Sequence, residues 1–145
     1  MPENWTLGVS RMLTLLAKIA DKLRLRYDWS RIRRAEVIEF LSQRQPLTHE
    51  EWQRRFAPDI PLDFVCWFRD TYSRYFEFDL SAALPDDRLV EDLGMYRATW
   101  PDVDWDIMED YEDRFRVKLP SGGTPSITFG DALRTLWKYA HKTTA

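Results

Sequence analysis

Apolar residues recur at spacings of three and four along almost the entire chain, while the alternation a strand requires is nearly absent. Between Trp5 and Tyr27, Met12, Leu15, Leu16, Ile19 and Leu23 form such a row, with Lys18, Lys22 and Arg26 between them. This predicts an amphipathic helix whose row faces inward. A second helix is predicted from Ile32 or Ala35 to about Arg44, with Val37, Ile38 and Leu41 inward and Pro46 as its stop. Thr48-His49-Glu50-Glu51 has capping-box spacing and predicts a short helix over 50–56. Phe76 to Leu80 alternates, but over too few residues to carry a sheet. The expected fold is therefore all-α.

Two prolines in Ala57-Pro58-Asp59-Ile60-Pro61 block helix continuation and make this the best linker in the chain. It separates a helical N-terminal region, 1–57, from a second unit, 62–145. Beyond it, Phe64, Trp67, Phe68, Thr71, Tyr72, Tyr75 and Phe76 mark one face of an aromatic helix, and Leu80 to Arg88 reads as a loop. A helix over 104–116 is predicted to turn Trp105, Met108, Tyr111 and Phe115 inward. After a turn at Ser121-Gly122-Gly123-Thr124-Pro125, a last helix starts near Thr128, with Phe129, Ala132, Leu133, Leu136, Trp137 and Ala140 as its buried stripe.

The 145 residues suit one domain, or one small domain with an appendage. Seven Trp, eight Phe and six Tyr are many for this size; most are expected in the core, with a cluster exposed for a partner as the open alternative. The single cysteine, Cys66, excludes an intrachain disulfide; inside Phe64-Val65-Cys66-Trp67-Phe68 it reads as a buried, inert thiol. One Cys and two distant His, His49 and His141, do not make a zinc site, and no metal is expected. The N-terminus lacks the basic region and apolar core of a signal peptide, and no apolar run is long enough for stable membrane insertion, so a cytoplasmic protein is expected. No Ser/His/Asp or Cys/His set and no Gly-rich phosphate loop stands in a recognisable context. A non-catalytic role without a cofactor is the expectation.

The net charge of −3 conceals a division. Residues 10–34 hold eight basic and two acidic residues, a net of +6, whereas residues 86–113 hold eleven acidic and two basic residues, a net of −9. Such asymmetry implies different partners for the two regions, or one intramolecular contact between the basic N-terminal helix and the acidic helix. The acidic whole would repel phosphates, so nucleic acid is not an expected partner.

Asp87-Arg88-Leu89-Val90-Glu91-Asp92-Leu93-Gly94-Met95 is followed by the acidic run Asp106-Ile107-Met108-Glu109-Asp110-Tyr111-Glu112-Asp113-Arg114-Phe115, then by Val117, Leu119-Pro120 and Ile127-Thr128-Phe129-Gly130-Asp131-Ala132-Leu133. In this order they resemble the acyl carrier protein family over about residues 62–141, and the resemblance implies a four-helix bundle with a helical N-terminal extension. The departure is as informative. A carrier places Asp-Ser-Leu shortly after its Asp-Leu-Gly, and that serine takes phosphopantetheine; here no serine occurs between Ser81 and Ser121, and Trp100-Pro101-Asp102 stands in its place. Thr99 is the nearest hydroxyl, and a poor substitute. In this the chain is similar to carrier-like bacterial families of uncharacterised function that keep Asp-Leu-Gly without the serine.

Loss of the arm leaves the docking surface. In carriers the acidic second helix pairs with basic patches on client enzymes, and the matching positions here are Asp104, Asp106, Glu109, Asp110, Glu112 and Asp113; the expected partner-binding set is Asp102, Asp104, Asp106, Glu109, Asp110 and Asp113, with Trp100 and Trp105 as apolar anchors. Like charges three and four residues apart cost a few tenths of a kcal/mol each unless a cation offsets them. The expected function is a protein–protein interaction module that docks a protein with a basic surface. An immunity or inhibitor protein neutralising a cognate toxin or enzyme is the alternative reading, and a genuine carrier a third.

Overall fold

The computed structural model describes residues 3–120 and 126–143, without the side chains of 3–7 and 25–28; the turn expected at 121–125 lies outside the described residues. The protein is all-helical: α1 Glu3–Ser42, α2 His49–Phe56, α3 Leu62–Phe76, α4 Val103–Phe115 and α5 Phe129–Thr143. Among the described residues there is no strand, only one antiparallel bridge pairing Arg88 with Thr128.

Residues Glu3–Ser42 form one helix where two were expected. Between Pro2 and Pro46 the only glycine or proline is Gly8, so nothing interrupts the ladder at Asp28-Trp29-Ser30 despite its cap-forming residue types. At 1.5 Å per residue its 40 residues reach about 60 Å. Among its described side chains, those at the C-terminal end meet the core, through Val37 and Leu41, while Ile38, expected inward, is half exposed. The row expected to face inward is uncovered: Met12, Leu15, Leu16, Ile19 and Leu23 are all exposed. Val37 and Leu41 follow Ile19 and Leu23 by about five full turns, so all four lie on one face of the helix. The core covers that face at one end and not at the other.

Thr48 caps α2, accepting from the Glu51 amide while the Glu51 carboxylate accepts from the Thr48 amide. This turn aims Trp52 into the centre, where it is fully buried and its Nε1–H donates to the Ala83 carbonyl at 2.8 Å. The Ala57–Pro61 link is itself packed, with Ala57 and Ile60 buried, so α2 shares one core with the helices beyond the link.

Helix α3 is the central element, packed by α2, α4 and α5. Its buried positions, Phe64, Val65, Phe68, Tyr72 and Phe76, run into an aromatic ladder: Phe68 lies against Tyr72 and Phe129, and Phe129 against Trp52. At the other end Phe64, Trp67, Phe115 and Trp137 pack ring to ring. Most aromatics are thus core. Cys66 is half-buried rather than enclosed, and burial followed by the nearby Asp70 pushes its thiol pKa up.

Two charged residues are buried inside this apolar frame. Arg69 donates to the carbonyls of Leu47 and Ser81 at 2.8 and 2.9 Å, and one of its nitrogens lies 2.6 Å from His49 Nδ1. Asp87 grips Arg44 through both oxygens, at 2.6 and 2.9 Å, and accepts from the Leu84 amide. Through these contacts the end of α1, α2 and the loop after α3 are tied together.

Candidate functional site

The loop after α3 delivers the candidate site. Phe76, Phe78 and Leu80 bury on alternate residues, and Leu89, Leu93 and Met95 pin the next stretch. The chain then turns at Gly94, whose φ of 77° lies in the left-handed region. A Cβ there would stand 2.8 Å from Ala98 Cβ and 3.0 Å from Val37 Cγ2, so only glycine lets this loop close against α1. The amides of Arg97 and Ala98 donate to the Gly94 carbonyl, and the Tyr96 amide donates to Thr99 Oγ1. The Thr99 hydroxyl is therefore engaged within its own turn.

Helix α4 follows at once, and its inward line is Val103, Ile107 and Tyr111. The sequence had pointed to Trp105, Met108, Tyr111 and Phe115. Tyr111 is common to both lines, Met108 and Phe115 are half-buried, and Trp105 is 61% exposed. With Val103 already filling the inner position, a residue two places on is turned about 200° away.

The eight residues expected to bind a partner divide accordingly. Trp105, Glu109 and Asp113 are exposed, one helical turn apart, and form the outer line, with exposed Asp102 before them. Trp100 is 44% exposed, and its Nε1–H donates to Asp106 Oδ2 at 3.0 Å, which holds the indole beside this line. Asp104 and Asp110 do not belong to it. Asp110 is turned to α3, accepting from Arg74 at 2.6 Å and from the Tyr75 hydroxyl at 3.0 Å. Asp104 bonds the Tyr96 hydroxyl; burial and then this carboxylate push the Tyr96 pKa up to about 12. Glu109 and Asp113, by contrast, have no cation within ion-pair distance among the described residues.

The basic half of α1 does not supply one. Arg11, Lys18, Lys22 and Arg24 make no ion pair among the described residues, so of the two alternatives, separate partners or an intramolecular contact between the charged helices, these four cations do not form the second. An open cleft of about 890 Å³ lies between the later turns of α1 and the 96–101 loop, lined by Trp29, Arg31, Arg34, Tyr96 and Trp100. Arg34 is occupied, donating to the Glu77 carbonyl and lying over the Phe78 ring.

Among the described residues no group of three or more His, Cys, Asp or Glu side chains is arranged to hold a metal ion, and no helix is long and apolar enough to cross a membrane. Neither a protein family, nor a curated protein, nor a solved structure matches this chain.

Proposed function

We propose that the protein is a non-catalytic interaction module whose α4 docks a partner with a basic surface, in the manner of a carrier that has lost its arm. The observation that carries this reading is the division of the acidic residues. Asp104 and Asp110 are satisfied by neighbours, whereas Trp105, Glu109 and Asp113 project outward with the Trp100–Asp106 pair beside them. An exposed indole among unpaired carboxylates combines an apolar anchor with charge that steers encounter. The acyl-carrier-like reading rests on the sequence resemblance around Asp92-Leu93-Gly94 and the acidic α4; of the four helices that resemblance implies, three, α3, α4 and α5, lie among the described residues from Leu62 onward. Thr99, bonded within its turn, offers no free nucleophile for an arm.

The test is affinity capture from the native host with the intact chain as bait, beside the variants E109K/D113K and W105A. A single basic protein should be retained, released by high salt, and depleted by about tenfold or more with the charge reversal. Retention indifferent to salt and to both variants overturns the assignment. The intact mass of the native protein should equal that of the unmodified chain; an added phosphopantetheine would restore the carrier function.

A further inference from the structure

The N-terminal half of α1 carries a binding surface distinct from α4. Val9, Met12, Leu16, Ile19 and Leu23 form an unbroken row, widened by Leu13 and Leu15, and all seven are between 47% and 62% exposed. They continue the same face that the core covers at Val37 and Leu41, so this face is built for burial and lacks its cover.

Charge indicates what the cover is. At 3.6 residues per turn the seven apolar side chains occupy an arc of about 160°. Arg11, Lys18 and Lys22 border it beyond Leu15, and Arg24 borders it beyond Leu13. Asp21, the one acid in residues 8–24, lies with Ser10 and Thr14 on the opposite side. All four cations are exposed. We infer that residues 8–24 of α1 form an interfacial helix that lies on an anionic lipid surface, with the apolar arc in the acyl boundary and the flanking cations at headgroup level.

A second copy of the chain fits less well. The row does follow a heptad, but the flanking positions that would lock two strands hold Leu13, Leu15, Ala20 and Lys22 rather than opposite charges. The arc is wider than a two-stranded seam, and pairing would bring two basic helices together. On a lipid surface the same features are favourable: long basic side chains reach outward from the edge of a buried apolar face, and each adds attraction to anionic headgroups. The helix lies on the surface and does not span it, since residues 8–24 hold five charges, Arg11, Lys18, Asp21, Lys22 and Arg24, and no described helix is long and apolar enough to cross a membrane.

The experiment is co-sedimentation of the intact protein with vesicles of equimolar phosphatidylglycerol and phosphatidylcholine, and with vesicles of phosphatidylcholine alone. Partition to the anionic vesicles is expected, weakened by salt and far weaker on the neutral ones. The variant R11Q/K18Q/K22Q should bind about a hundredfold more weakly, and L16D should not bind. Both variants lie outside the core and should melt with the wild type. Failure of the intact chain to partition onto anionic vesicles overturns the inference. If sedimentation equilibrium then shows a dimer that L16D abolishes and neutralisation does not weaken, the face belongs to a second copy.

Discussion

His49 stands between Arg69 and Asp70, its Nδ1 2.6 Å from the buried guanidinium and its Nε2 2.9 Å from the carboxylate. Arginine only donates, so Nδ1 must accept, and the proton of the neutral ring resides on Nε2, facing Asp70. Long-range proton–nitrogen NMR should show the Nε2–H tautomer at neutral pH. Arg69 also holds the Leu47 and Ser81 carbonyls, and its charge is buried, which lowers its pKa. Arg69→Ala should cost about 3 kcal/mol in urea unfolding, because two buried acceptors lose their donor.

Gly94 is the point at which the loop meets α1. Gly94→Ala forces a side chain into a left-handed turn and against Val37 and Ala98. A loss of about 2 kcal/mol is expected, read as a shift in denaturation midpoint at unchanged slope. Val37→Ala in the same background should be partly compensatory, since it removes one of the two atoms in conflict.

On α4 the proposed docking assigns binding to Glu109 and Asp113, while packing assigns stability to Asp110. Glu109→Lys with Asp113→Lys should leave stability within about 0.5 kcal/mol of wild type. Asp110→Ala should lower it by about 1 kcal/mol, as Arg74 and the Tyr75 hydroxyl lose their acceptor. Equal destabilisation by both changes would contradict the division of roles.

Alkaline pH should weaken the fold. Burial pushes the Tyr111 pKa up to about 12, and burial with Asp104 does the same for Tyr96, against about 10 in the unfolded chain. A raised folded-state pKa contributes stability in full below the unfolded value and loses it as pH climbs through the folded one. The window is therefore from about pH 10 to about pH 12. Circular dichroism should report declining stability across it, with phenolate absorbance of these two groups rising late. Asp104→Asn should bring the Tyr96 transition to lower pH.

The helical class was legible because periodicity is a local property, and so were the capping box at Thr48 and the stop before Pro46. What covers a stripe is not local. The row from Met12 to Leu23 has the same spacing whether a core lies under it or not, and the sequence cannot distinguish the two. On α4 helical spacing alone put Trp105 in an inward set, while the buried line runs through Val103, Ile107 and Tyr111. The roles of the acids depended on Arg74 and Tyr75, some 35 residues away, a distance at which no pattern along the chain reports pairing. Arg69 and Asp87 were missed altogether, although Arg69 follows Phe68 and precedes Tyr72 on the most aromatic face of the chain. A lone cation at such a position is the signal that could have found it.

One continuous helix from Glu3 to Ser42 also has a mechanical meaning. From Leu16 to Val37 is 21 residues, about 32 Å of uninterrupted rod. Whatever grips the outer turns is held at that fixed remove from the place where Val37 meets Gly94. The turn that shapes the approach to α4 is thus also part of the footing of the longest helix, beside Leu41.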